Sequence, residues 1–95
     1  MTFDSIPEAF QTKLRVAILA ALFNGEKDFN TLKEILKATD GNLSVQLSNL
    51  EKFGCITVQK NIVNKRSHTI YSISEEGRRL FSEYVEMLIK STSDN

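Results

Sequence analysis

Apolar side chains in this sequence keep helical spacing as far as Leu50, alternate one by one from Ile56 to Ile73, and return to helical spacing from Leu80 to Ile89. A helix brings residues about 3.6 apart onto one side, whereas a strand brings every second residue there. The two changes of period therefore predict a block of helices, a two-stranded hairpin and a closing helix. Within 95 residues this makes a single domain, 1–95, with one core and no second domain.

The first helix is expected to start near Pro7, a residue suited to the first helical position, and to stop before Gly25. Phe10, Leu14, Ala17, Ile18, Ala21 and Leu22 recur along one face, while Val16, Leu19, Ala20 and Phe23 make the later turns apolar almost all round. A helix apolar on every side must be covered on every side, and in so short a chain a second subunit is the expected cover. The second helix is expected over about Thr31–Lys37, capped by Asn30 or Thr31, with Thr31 and Glu34 at capping-box spacing. The third is expected from Thr39 or Asp40 to Phe53, stopping at Gly54, with Leu43, Leu47 and Leu50 inward. Two helices joined by a tight turn form a helix-turn-helix unit.

Ile56, Val58 and Ile62 then share one face of a strand, and Thr69, Tyr71 and Ile73 one face of its partner, His68–Ile73. A polar loop, 64–67, joins the two strands. Ser74 is placed to cap the last helix, whose exposed side offers the pairs Glu75–Arg79, Arg79–Glu83 and Glu86–Lys90. The ordered core is expected over about 6–90, with 91–95 a frayed tail. The fold class is α+β, mostly helical, in the order helix, helix, helix, hairpin, helix.

Net charge is zero, with 12 basic and 12 acidic side chains, but their placement is uneven. Residues 41–74 hold Lys52, Lys60, Lys65 and Arg66 against Glu51 alone, and no carboxylate lies between Lys52 and Ser74. A neutral chain with one segment cleared of acids can present a locally positive surface. The third helix adds a second signal. Its outward residues, Gly41, Ser44, Val45, Ser48, Asn49 and Lys52, with Thr39, Asn42 and Gln46 at its start and flanks, carry no charge before Glu51. A solvated face ordinarily carries Lys and Glu. Small and amide side chains suit close approach to base edges and phosphates, where Asn and Gln can bond adenine bidentately and a Val methyl can meet a thymine methyl. The hairpin tip, Asn64, Lys65, Arg66, Ser67 and His68, could reach the neighbouring groove or backbone of double-stranded DNA.

Leu43-Ser44, Leu47, Leu50-Glu51, Gly54 and Ile56, followed by Arg66, Tyr71, Ser74 and Gly77-Arg78, resemble the running pattern of MarR/ArsR-type winged helix regulators, over roughly residues 7–90. The stretch 39–54 is most similar to short, single-domain winged helix DNA-binding proteins. The resemblance implies a third helix in the major groove, with groove-facing roles for Asn42, Ser44, Val45, Gln46 and Asn49. It implies a wing contact through Lys65 and Arg66, and a homodimer built from the terminal helices. Phe10, Leu14, Val16, Leu19, Phe23, Phe81, Tyr84 and Leu88 are the expected interface. Relatives often carry Arg or another polar residue where this chain has Val45, so readout there is expected to differ.

Cys55, the one cysteine, can form neither an intramolecular disulfide nor a cysteine metal cluster, which fits a reducing cytoplasm and a structural role. His68, the one histidine, lacks companions for a metal site and is expected to be a surface or phosphate-facing residue. The N-terminus has no signal-peptide pattern, and the longest apolar run, residues 16–23, is too short to span a membrane. No phosphate loop, metal-ligand pair or nucleophile set points to an enzyme or a cofactor. The reading is a dimeric, sequence-specific DNA-binding transcriptional regulator. Two rivals stay open: a winged helix used as a protein-interaction module, and a regulator that senses a small molecule at its dimer interface.

Overall fold

The structure, a computed structural model, describes residues 1–93. The chain opens with two short 3-10 turns, Phe3–Ser5 and Glu8–Phe10, and only then enters helix α1, Lys13–Phe23. The helix thus starts later than the expected Pro7. Arg15 supplies the reason. Its Nη2 and Nε donate to the carbonyls of Glu8 and Ala9 at 2.8 and 3.0 Å. In a continuous helix those carbonyls would accept from amides four residues on; here the guanidinium takes their place and holds the chain in a turn.

Helix α2, Phe29–Leu36, is capped by Asp28, whose carboxylate accepts from the Thr31 amide at 2.8 Å. The cap expected at Asn30 or Thr31 lies two or three residues too late, because a carboxylate is the stronger acceptor at the positive end of a helix. Lys37 ends α2 in the left-handed region (φ 51°), and helix α3, Asp40–Lys52, begins after Thr39, whose hydroxyl accepts from the Asn42 amide at 3.2 Å. An ion pair, Lys33 Nζ to Asp40 Oδ1 at 2.7 Å, spans this tight turn. At the far end of α3, Cys55 N–H donates to the Leu50 carbonyl and Gly54 N–H to that of Glu51, both at 3.0 Å. This is the double bond of a Schellman stop, and Gly54 supplies its positive φ of 75°.

Strands β1 (Lys27–Asp28), β2 (Ile56–Val63) and β3 (Arg66–Ile73) form an antiparallel sheet in the order β1-β3-β2. The expected two-stranded hairpin is therefore part of a three-stranded sheet. Two residues are too few to show alternation, so Lys27 and Asp28, opposite Tyr71 and Ile70, left no trace in the sequence pattern. The last helix, α4 (Glu75–Ser93), is capped by Ser74, whose Oγ accepts from the Gly77 amide at 2.9 Å and donates to the Gly54 carbonyl at 2.6 Å. Gly77 packs directly on the start of β2: a Cβ there would lie 2.1 Å from the Cys55 carbonyl oxygen. Arg79 bonds Glu76 and Glu83, so Glu76 takes the place expected for Glu75. The helix continues through 91–93, expected as frayed tail, while 94–95 lie outside the described residues.

Ile18, Leu19, Leu22, Leu32, Leu43 and Leu50 are fully enclosed, so α1 is the hub against which α2, α3 and the sheet pack. Among the described residues no helix is long and apolar enough to cross a membrane.

Candidate nucleic-acid interface

Helix α3 is fixed by its leucines, and that fixes what its other sides present. Gly41, Asn42, Ser44, Val45, Ser48 and Lys52 are exposed; Val45, at 55%, is an uncovered apolar side chain at the middle of the helix. Gln46 and Asn49 are half-buried. Gln46 turns toward α1, where Arg15 Nη1 donates to its Oε1 at 2.9 Å, and its own Nε2 donates to Asn42 Oδ1 at 3.3 Å. Of the side chains expected to face a groove, Gln46 therefore bonds other side chains of the protein with both ends of its amide, Arg15 in part-buried surroundings and Asn42 at the surface. The hydroxyl of Thr39 is engaged as the helix cap.

On the opposite flank, Ser44, Ser48 and Glu51 face the sheet across a cleft of about 230 Å³ that Val58, Lys60 and Tyr71 also line. Burial, and secondarily the Glu51 carboxylate, push the Tyr71 hydroxyl above its ordinary range. The open crest between the flanks is the line Gly41, Val45 and Lys52, with Ser48 at the border of crest and cleft.

The hairpin is paired to its end, Val63 opposite Arg66. Only Asn64 and Lys65 form the turn, with φ of 52° and 64°. Two positive φ values define the turn whose twist matches that of a hairpin. The four-residue loop expected at 64–67 is accordingly shorter, and Arg66 and Ser67 belong to β3. All of residues 59–68 are exposed, including Ile62 at 82%. The hairpin thus stands out as a wing.

Lys52, Lys60, Lys65 and Arg66 have no ion-pair partner among the described residues, and Lys13, Lys27, Lys37 and Arg78 have none either. What sets the four apart is that they fall in or at the edge of the segment from Lys52 to Ser74, which holds no carboxylate. Cations with free charge are what phosphate neutralisation requires. His68 behaves differently from the rest of the tip: its Nε2 lies 3.8 Å from Asp28 Oδ2, at the base of the wing rather than its end. Lys60 and Arg15 were not among the expected site residues. In the sequence Lys60 counts among the cations of the acid-poor segment, and nothing in the spacing of Arg15 distinguishes it from a solvated helix residue.

The side away from α3 is apolar. Phe23, Phe81, Val85 and Ile89 line an open groove of about 430 Å³ along α1 and α4, and Phe10, Val16, Ala17, Ala20 and Tyr84 line another of about 390 Å³. Leu88 and Ile89 are 44% and 62% exposed. Two of the expected interface residues offer this side almost no surface, although Phe10 reaches the floor of the second groove. Phe10 (4% exposed) and Leu19 (0%) are consumed by the chain's own core, with the Phe10 ring edge-on to Tyr84 at 5.1 Å. Leu14, Val16, Phe23, Phe81 and Tyr84 remain half-buried. Cys55 is buried, and desolvation, with a smaller contribution from Glu76, pushes its thiol up, away from the reactive thiolate form.

Comparison with known proteins gives a consistent result. An uncharacterised protein of Methanocaldococcus jannaschii is 39% identical over 82 residues, 85% of this chain and 89% of its own. Among solved structures, a transcriptional regulator homologue from Pyrococcus horikoshii OT3 superposes with TM-score 0.77 at 24% identity, over 86% of this chain and 84% of its own. The redox regulator HypR in its oxidised form does so with TM-score 0.77 at 24% identity, over 93% and 91%. A protein from Enterococcus faecalis V583 described as a MarR-family regulator gives 0.79 at 21%, over 85% and 74%. At such identities the agreement concerns the fold. The family model for the winged helix DNA-binding domain matches residues 14–91, every element from α1 through the wing into α4, and the chain belongs to that family.

Proposed function

We propose that the protein is a sequence-specific, double-stranded DNA-binding transcriptional regulator that acts as a homodimer. Helix α3 lies in the major groove and the wing on the adjacent groove or backbone. The observation that carries this reading is the exposed side of α3, with its small and amide side chains, beside a projecting wing. Lys52 on α3 and Lys60, Lys65 and Arg66 on the wing have no carboxylate partner among the described residues, and α3 and β2 share a cleft. In this arrangement Val45 and Asn42 meet base edges, while Ser44, Ser48, Lys52, Lys60, Lys65 and Arg66 meet the backbone. Asn49, half-buried, lies at the rim of the contact.

The apolar grooves beside α4 supply the second half of the proposal. A patch of Phe23, Val85, Leu88 and Ile89 on a soluble domain calls for a partner, and a two-fold pair buries the same patch on both copies. Such a pair sets two α3 helices about 34 Å apart, one turn of DNA. The protein then works in the cytoplasm, without metal or cofactor.

The test is selection of bound sequences from a random duplex pool, followed by affinity measurement for the selected duplex against scrambled DNA. A specific site with an inverted repeat is expected. Equal binding to all duplexes, or none, replaces this reading with that of a protein-interaction module.

A further inference from the structure

Arg15 can only donate hydrogen bonds, since a guanidinium has N–H groups and no acceptor. The Gln46 atom 2.9 Å from its Nη1 must therefore be the side-chain oxygen. That leaves the Gln46 amide nitrogen to face Asn42 one turn earlier, so the Asn42 atom at 3.3 Å must be Oδ1. The oxygen and nitrogen of an amide are otherwise nearly interchangeable in position. Here one arginine orients two amides in series. Arg15 is itself held: it is 9% exposed, bonded to the carbonyls of Glu8 and Ala9, and lies 5.6 Å from the centre of the Phe53 ring. The end of the series is exposed Asn42, whose Nδ2 group is left to point away from Gln46.

We propose that the Arg15–Gln46–Asn42 relay sets the polarity of Asn42 as a base reader. Asn42 presents hydrogen-bond donors and selects an acceptor on a base edge, such as purine N7, guanine O6 or thymine O4. It disfavours the exocyclic amino group of adenine or cytosine. The inference rests on the reading that α3 enters the major groove, and it refines the sequence expectation of a bidentate adenine contact, which needs the amide oxygen as well. Asn42 is the specificity residue; Gln46 and Arg15 are positioning residues that touch no base.

The decisive variant is Gln46→Glu. Glutamate keeps the length and the bond to Arg15 but offers no N–H, so its second oxygen accepts from Asn42 Nδ2 and turns Oδ1 outward. In selection from a random duplex pool, the preference at the position read by residue 42 should switch from an acceptor-bearing edge to an amino group. A selected duplex whose contacted base lacks the acceptor, such as 7-deazapurine for N7, should bind the wild type about tenfold more weakly and Gln46→Glu equally well. The added carboxylate weakens all duplexes alike and cancels in this ratio. Asn42→Asp is a second variant, placed where an acid suits the first turn of a helix. It presents an acceptor whatever Gln46 does and should show the same switch.

Amide exchange reads the relay without DNA: the Gln46 side-chain NH₂ should exchange more slowly than that of Asn42. An unchanged base preference in Gln46→Glu, or equal exchange of the two amides, overturns the relay. A wild type with no preferred sequence overturns the DNA reading and the reader role with it, and slow exchange at Gln46 then distinguishes that outcome from a failed relay.

Discussion

Arg15 on α1 donates to the side-chain oxygen of Gln46 on α3 at 2.9 Å, and the same guanidinium holds the carbonyls of Glu8 and Ala9. One buried cation thus joins the N-terminal turn, the hub helix and the helix that carries the exposed crest. The turn it holds also carries Phe10, which packs on Phe81 and Tyr84 of α4. The apolar side of the domain and α3 therefore share a support.

Replacing Arg15 with Met, which keeps an unbranched apolar stem, should lower stability by about 2–4 kcal/mol. A hydrogen bond to a charged group contributes about 1.5–3 kcal/mol, and the acceptors left behind are partly buried, though such effects do not simply add. The urea midpoint should fall, and the amides of Phe10 and Gln11 should exchange faster than those of α2. A wild-type midpoint would show that the clamp carries no weight.

Gly77 is fixed by proximity rather than by backbone conformation, since its missing Cβ would sit against the Cys55 carbonyl. Gly77→Ala should destabilise by about 3 kcal/mol, at the upper end of overpacking, because the obstacle is backbone on both sides. Thermal unfolding measures this directly. Gly41, with open space around it, tolerates the same change and serves as control.

Much of this was legible in the sequence. The leucines of α3, the stop at Gly54, the Ser74 cap and the two strands of the hairpin all follow from local rules, and the structure has each of them. Burial, however, alternates only at Ile56 and Val58, and Ile62, expected on the same face, is 82% exposed on the wing. What escaped depends on contacts distant in sequence. The two-residue strand β1 exists only because β3 lies beside it. Arg15 interrupts a helix by reaching back to carbonyls six and seven residues earlier. Phe10 and Leu19 carry the same apolar signal whether a second subunit or the chain itself covers them, and the chain does. Likewise the family resemblance implies a groove contact for Gln46, on the flank of α3, and nothing local shows that Arg15 claims it.

Asp28 links α2 to the wing. Hydrogen bonding by Thr31 comes first among the causes that hold its carboxyl below the ordinary carboxylate range, with a smaller contribution from nearby His68. A lowered folded value means that the stabilisation is complete above the unfolded value, about 3.9, and is lost as pH falls through the folded one. Asp28→Ala should cost about 1 kcal/mol at neutral pH, as for other lost caps. Its deficit against the wild type should shrink in denaturant titrations below about pH 4. A deficit constant down to strongly acidic conditions would show that the charge contributes nothing.

Leu88 and Ile89 are exposed on α4 at 44% and 62%. Sedimentation at tens of micromolar should give a dimer. Leu88→Glu should give a monomer with unchanged helix content, because the side chain is outside the monomer core. A wild type that sediments as a stable monomer removes the two-fold arrangement and with it the expected inverted repeat.

Attachment and readout should fall to different side chains. Lys65 forms the wing turn and Arg66 begins β3, both exposed and without ion-pair partners among the described residues. Replacing both with Ala in a dimer removes up to about four phosphate contacts, and each contributes about 0.9 to the slope of log affinity against log salt, so the slope should become shallower by up to about 3.6. Base preferences should hardly change, because phosphates carry no sequence information. Val45→Ala should do the reverse. Its side chain, 55% exposed on the crest of α3, carries no charge, so the salt slope should stay as it was while preference relaxes at one base position. Affinities of both variants across single-base changes of the selected duplex, at several salt concentrations, decide the matter. If the wing variant relaxes base preference and leaves the slope intact, the roles of wing and helix are reversed. If Val45→Ala weakens all duplexes equally, Val45 does not face a base and α3 must be rotated about its axis relative to the proposed docking.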